Sequence, residues 1–170
     1  MKAKHQHPAG LLYQLPIPKC KWETITLDFI TGLPKTKSKN GSIMVVVDKL
    51  SKFSHFILVQ YTYKIVQIAN IFMKYIFKLH GLRKVVISYR DLKFTFSFWK
   101  DLFNGLGTQV HLSTAYHPQT DGKTERVHQV IEDILRMHVM QQPAKWEDYI
   151  HLVEFAYNNN YHTYLKMSLF

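Results

Sequence analysis

The chain holds little that could staple it or anchor it. One cysteine, Cys20, stands among 170 residues, which excludes an internal disulfide framework and a cysteine-based zinc site within this chain. No apolar run approaches the roughly 18–20 residues of a membrane-spanning helix. The opening residues MKAKHQHPAG lack the apolar core of a signal peptide, so a soluble protein with no membrane partner is expected. Acidic residues are scarce too: 12, against 22 lysines and arginines, give a net charge of +10. A pI near 9.6 points to a polyanionic partner, nucleic acid first, with ordinary surface lysine as the bland alternative. What is present is a core: hydrophobic content of 46% with 14% aromatics argues against disorder, and the length suits a single domain.

The apolar pattern changes period along the chain. Residues 1–20, punctuated by Pro8, Pro16 and Pro18, read as an extended lead-in. Residues 22–30 suit a first strand, and the polar run Lys35–Gly41 ends in Asn40-Gly41, a hairpin-turn signal. Ile43–Val47 is continuously apolar, as in a strand covered on both faces, and His55–Val59 suits a third strand. Ile65, Ile68, Ala69, Phe72, Ile76 and Leu79 then recur at helical spacing, and Gly81 closes that helix. Val85–Ser88, reached through the helix, should lie parallel to the first strand. A helix over 95–105, a strand over 108–112, a long helix with Val127, Val130, Ile131 and Ile134 on its apolar side, and a last helix over 145–158 complete an α/β plan. The expectation is a five-stranded mixed sheet flanked by helices, over residues 21–170.

Chemistry concentrates at three positions. Asp28 lies in the strand-like run Ile25–Ile30, and Glu125 follows the loop of STAYHPQTDGKTER just inside the long helix. Thirty-five residues separate Glu125 from position 89, at the end of the Val85–Ser88 run. A carboxylate on one strand, a second strand end and a helical carboxylate suggest metal-dependent phosphoryl transfer. Position 89 holds a tyrosine. The local strings Leu27-Asp-Phe-Ile-Thr-Gly-Leu-Pro34, Val46-Val-Asp-Lys-Leu-Ser-Lys52, Leu79-His-Gly81, Ser88-Tyr-Arg-Asp91, Thr114-Ala-Tyr-His-Pro-Gln-Thr-Asp-Gly122 and Val153-Glu-Phe-Ala-Tyr-Asn158 resemble the integrase catalytic core of Ty3/gypsy-type retrotransposons. The likeness runs over nearly the whole chain.

That resemblance implies a ribonuclease-H-like fold. It also implies two Asp and one Glu holding two Mg²⁺ or Mn²⁺ ions, DNA (element ends and target) as partner, homo-oligomers, and a nuclear site of action. An upstream zinc-binding segment and further downstream modules belong to the family pattern, so the chain reads as a fragment without its flanks. Matched by position, Asp28 is the first Asp, Glu125 is the Glu, and Tyr89 takes the place of the second Asp. Two hard cations roughly 3.5–4 Å apart would activate the attacking oxygen and neutralise the leaving one. A phenol titrating near pH 10 is a poor ligand for them, so severely impaired catalysis is expected. Asp91, two residues on, is a weak substitute, because the step along a strand is roughly 6.6 Å.

Each site residue has a bland alternative. Glu125 shares its helical face with Gln129, Glu132 and Arg136, away from the apolar side, and could be a solvated surface residue. Asp28 could simply point out of an alternating sheet. Lys35, Lys37, Lys39, Lys123 and Arg126 suit phosphate contacts, as do His117 and Gln119 of the loop, yet surface lysine and turn-shaping are their plain readings. The ten histidines are too scattered for a metal cluster. Three functions stay open: an impaired DNA integrase core, a non-enzymatic DNA-binding or self-associating remnant, and a ribonuclease-H-like nuclease.

Overall fold

The computed structural model describes residues 17–81, 85–89, 96–113, 129, 131, 133, 136 and 142–164. Five strands form one sheet: β1 (Thr24–Ile30), β2 (Asn40–Asp48), β3 (Ser54–Gln60), β4 (Val85–Tyr89) and β5 (Gln109–Ser113), in the order β3-β2-β1-β4-β5. β1 to β3 run antiparallel in succession. β4 lies parallel to β1, and β5 parallel to β4. The mixed five-stranded sheet expected from the sequence is therefore present.

Side chains alternate across this sheet and build two cores. Ile25, Leu27 and Phe29 of β1 join Met44, Val46, Val86 and the helical residues Ile68, Phe72, Ile76, Trp99 and Phe103 on one face. Ile30, Ile43, Val45 and Phe56 join Ile131, Trp146, Ile150, Val153 and Tyr157 on the other. Each fully buried aliphatic or aromatic side chain contributes about 1.5–3 kcal/mol, so both faces are strongly specified. No helix among the described residues is long and apolar enough to cross a membrane.

The helix after β3 shows where periodicity alone falls short. It begins as α1 (Ile65–Phe72), where the Lys64 amide donates to Gln67 Oε1 at 2.8 Å, then widens into a π-helical turn over Met73–Phe77 before ending at Lys78–His80. Ile68, Ala69, Phe72 and Ile76 are buried as the helical stripe requires, but Leu79 is 64% exposed. A π turn inserts one residue and turns the later side chains back by one position. His80, not Leu79, consequently faces inward, stacked on the Trp22 indole with ring centroids 3.6 Å apart. Gly81, at φ +74, closes the helix in the left-handed region that glycine tolerates.

The last helical region also differs from its expected span. Pro143–Tyr149 is a 3₁₀ segment, and the helix proper runs from Ile150 to Tyr164. Proline at the first position suits a helical entry, because its missing N–H would have no helical partner there.

Asp48 ties the entry of β1 to the turn between β2 and β3. Its carboxylate is fully buried, with Oδ1 accepting from the Trp22 amide at 2.9 Å and Oδ2 accepting from the Ser51 amide at 2.9 Å and the Ser51 hydroxyl at 2.5 Å. Trp22 holds φ +63, a strained backbone for a non-glycine residue, and that amide bond together with the indole's burial stabilises it. An amide in place of the carboxylate would set an N–H group against one set of donors. Asp48→Asn should therefore lower unfolding free energy by about 2–4 kcal/mol, read as a shift in the urea midpoint with an unchanged slope.

Candidate functional site

β1 and β4 pair in register from Thr24↔Val85 to Leu27↔Ser88. Asp28 and Tyr89 each follow the last residue of that ladder, and Tyr89 pairs with Ser113 of β5. Neighbours level in a ladder share a face, so positions 28 and 89 belong to the face of Ile30 and Val45, which is also the face that buries Ile131. The parallel strands present their carboxyl ends here, beside the point where β1 changes from a parallel to an antiparallel neighbour. Open α/β sheets bind ligands at such a place. Asp28 is half-buried, and its Oδ1 accepts from the Phe29 amide at 2.8 Å.

Glu125, Asp91, His117, Gln119, Lys123 and Arg126 lie outside the described residues. Around Glu125's expected helix, Gln129 and Arg136 are exposed while Ile131 is fully buried, which is the division between faces that the sequence pattern predicts. Among the described residues, no group of three or more His, Cys, Asp or Glu side chains could hold a metal ion. Among the described residues, the strand ends bring one carboxylate, Asp28, beside the position of Tyr89.

Lys35, Lys37 and Lys39 are all exposed, on the connection that leaves the carboxyl end of β1 two residues after Asp28's neighbour Ile30 begins its exit. The turn is not at Asn40-Gly41 as the sequence suggests. Those residues already belong to β2, where a Cβ on Gly41 would lie 3.4 Å from the Tyr61 Cβ. The chain instead reverses over Thr36–Lys39, with the Lys39 amide donating to Thr36 O at 3.1 Å and the Thr36 amide to Asn40 O at 3.0 Å. Lys39 takes the left-handed position at φ +65, where glycine or asparagine would be usual.

A distant carboxylate holds this turn. Glu147 Oε2 accepts from Thr36 Oγ1 at 2.6 Å and Asn40 Nδ2 at 2.7 Å, and Oε1 accepts from Ser38 Oγ at 3.1 Å. Next to it the Trp146 indole, 1% exposed, donates from Nε1 to Pro34 O at 2.6 Å. Lys35 Nζ lies 4.5 Å from the centroid of the Tyr61 ring. Sequence reading missed Glu147, because its partners are more than a hundred residues away; only the unusual Thr-x-Ser-x-Asn spacing in the loop hinted at an acceptor.

Two of the ten histidines do meet. His55 Nε2 and His80 Nε2 are 2.9 Å apart, so one donates and the other accepts, and His55 Nδ1 lies 3.6 Å from Glu154 Oε1. Glu154 Oε2 also accepts from the Phe56 amide at 2.8 Å, and Asn158 exchanges two bonds with the Ser54 backbone. These contacts seat the Ile150–Tyr164 helix against the edge strand β3, two strands away from β1.

Burial tends to raise the Glu147 pKa, but the bonds from Thr36, Asn40 and Ser38 outweigh it and hold the carboxyl below its usual 4.5. A lowered native pKa stabilises the fold above the unfolded value, and that stabilisation is lost as pH falls through the native value. The stability gap between the wild type and Glu147→Gln should therefore be constant from pH 7 to about 5 and narrow below about 4, measured by urea unfolding across that range.

No protein-family model matches the chain. It is 37% identical over 171 aligned residues to the Transposon Tf2-3 and Tf2-4 polyproteins of Schizosaccharomyces pombe, an alignment covering 99% of the chain. The chain spans 13% of the length of these relatives. Among solved structures, the catalytic core domain of BIV integrase superposes with a TM-score of 0.58 at 20% identity, covering 78% of this chain and 81% of that one. The HTLV-2 integrase catalytic core domain, in a dimeric form with magnesium, gives 0.58 at 13% identity, covering 81% and 86%. A simian T-cell lymphotropic virus intasome chain gives 0.57 at 16%, covering 82% and 48%. The chain therefore resembles, over almost its full length, a segment of these Ty3/gypsy-type transposon polyproteins, and it shares the fold of the retroviral integrase catalytic cores.

Proposed function

We propose that this domain is a DNA-binding integrase core whose phosphoryl-transfer chemistry is disabled at position 89. The observation that supports the reading is the β1–β4 register, whose last pair, Leu27↔Ser88, is followed at once by Asp28 on one strand and Tyr89 on the other. The family pattern puts a carboxylate at each of these neighbouring positions. Bound Mg²⁺ or Mn²⁺ would supply an activated nucleophile and a stabilised leaving oxygen. This chain's contribution is Asp28 on the central strand and, by resemblance, Glu125 from the following helix. Tyr89 adds bulk and no charge.

DNA as partner is supported by the net charge of +10 and by the exposed lysines on the loop after β1. Lys123, Arg126, His117 and Gln119 are proposed to extend that surface from the loop and helix start near Glu125. Self-association and a nuclear site of action follow from the same resemblance. The second reading, a DNA-binding remnant without catalysis, is favoured by the same tyrosine. A nuclease acting on RNA–DNA hybrids has only the shared fold in its support.

Paired assays separate these readings. Wild type should bind duplex DNA with affinity falling steeply as salt rises, yet join DNA ends at least about 100-fold more slowly than Tyr89→Asp, since losing part of a metal site costs several kcal/mol of transition-state stabilisation. Tyr89→Asp should also bind Mn²⁺ more tightly in isothermal titration. Equal metal binding and equal joining by the two proteins would sink the impairment claim, and cleavage of a hybrid strand by wild type would favour the nuclease.

A further inference from the structure

The loop between β1 and β2 carries three lysines in five residues, yet no ion pair joins them to the carboxylate at its base among the described residues. Glu147 instead accepts three bonds from uncharged donors, Thr36, Ser38 and Asn40, which alternate with Lys35, Lys37 and Lys39 along the loop. Thr36 and Asn40 are buried against that carboxylate, Ser38 reaches it from an exposed position, and the three lysines are left exposed. Four further restraints act on the same segment. Trp146 Nε1 grips Pro34 O, the Tyr61 amide donates to Lys39 O at 3.0 Å, the Asn40 amide donates to Thr36 Oγ1 at 3.1 Å, and Lys35 rests over the Tyr61 ring. Lys39 is thereby kept at a positive φ that it would not favour alone.

We infer that Glu147 is a positioning residue that pre-forms the Lys35–Lys37–Lys39 loop as a rigid phosphate-binding edge, so that the lysines meet the DNA backbone with little ordering left to do. The inference rests on the DNA-binding reading above and deepens it by assigning the loop as a contact surface and Glu147 as its organiser. The physical gain is preorganisation. Immobilising a long side chain or its loop at the moment of binding costs affinity, and a loop ordered beforehand has already met that cost.

The sign of one substitution isolates this role. If Glu147 acted only through its charge, its removal would strengthen binding to a polyanion, and alanine and glutamine would do so alike. As an organiser, Glu147→Ala should weaken binding about 3–10-fold. Glu147→Gln, whose amide can still accept from Thr36 and Asn40 and donate to Ser38, should bind at least as well as wild type.

The experiment uses the 170-residue chain and a short blunt DNA duplex, with fluorescence anisotropy at several salt concentrations. Hydrogen exchange of the Lys39 and Asn40 amides without DNA provides a readout independent of binding. Faster exchange in Glu147→Ala, weaker DNA binding by it, and near wild-type behaviour of Glu147→Gln support the inference. Unchanged exchange, or tighter DNA binding by the alanine variant, overturns it. A Lys35→Ala/Lys37→Ala/Lys39→Ala protein tests the underlying reading separately. It should flatten the salt dependence by a slope of about 2–3, and an unaltered slope would remove the loop from the DNA surface whatever Glu147 does.

Discussion

Everything in this domain is referred to β1. It is the middle strand of five, hydrogen-bonded to an antiparallel partner on one side and a parallel one on the other. Each face of β1 is also committed to a separate core, with Leu27 and Phe29 on one side and Ile30 on the other. A one-residue slip would exchange the two faces and bury Asp28 in place of its apolar neighbours. The register is thus fixed by burial on two faces and by two ladders at once. That redundancy is what allows a residue as costly to bury as Asp28 to be held at a defined place in the sheet.

Acidic residues are few in this chain, and two of the best-defined ones are spent on backbone control. Asp48 gathers the Trp22 amide and the Ser51 turn at the amino end of β1. Glu147 gathers the Thr36–Asn40 turn at the carboxyl end. Both accept from neutral donors rather than from lysines, so neither consumes the positive surface. A basic protein that relied on Lys–carboxylate pairs for the same loops would lose net field with every pair it formed. Uncharged donors avoid that loss, and they keep the loops ordered at salt concentrations that screen exposed ion pairs.

How much of this was legible follows from the range of each interaction. β1, β2 and β4 were readable because alternation and continuous apolar runs are local consequences of burial, and the parallel pairing of β1 with β4 followed from the intervening helix. The placement of positions 28 and 89 at the end of that pairing was accordingly within reach of the sequence. The π turn was not, since nothing in Met73–Phe77 breaks the helical pattern, and its effect appears only as His80 turned onto Trp22 where Leu79 was expected. Asn40-Gly41 misled for a related reason. Both residues lie inside β2, while the turn conformation falls on Lys39, within a loop restrained from outside by Glu147. Local turn chemistry is a reliable guide only where no distant side chain overrides it.

The same logic bears on the proposal that Asp91 could supply a carboxylate in place of Tyr89. Two residues along a strand restore the face but not the position, and sliding β4 back by two would bring residue 91 level with Asp28. Such a slide would have to break the β4 ladders to β1 and β5 together, because Val85–Tyr89 is paired on both sides. It would also move buried Val86 and Ile87, 1% exposed each, out of packing that their present register satisfies. A central strand held on two edges and two faces does not make that shift for one ligand. The proposal for position 89 is therefore weighed with the tyrosine that stands there, since a two-residue slide of β4 would break both of its ladders.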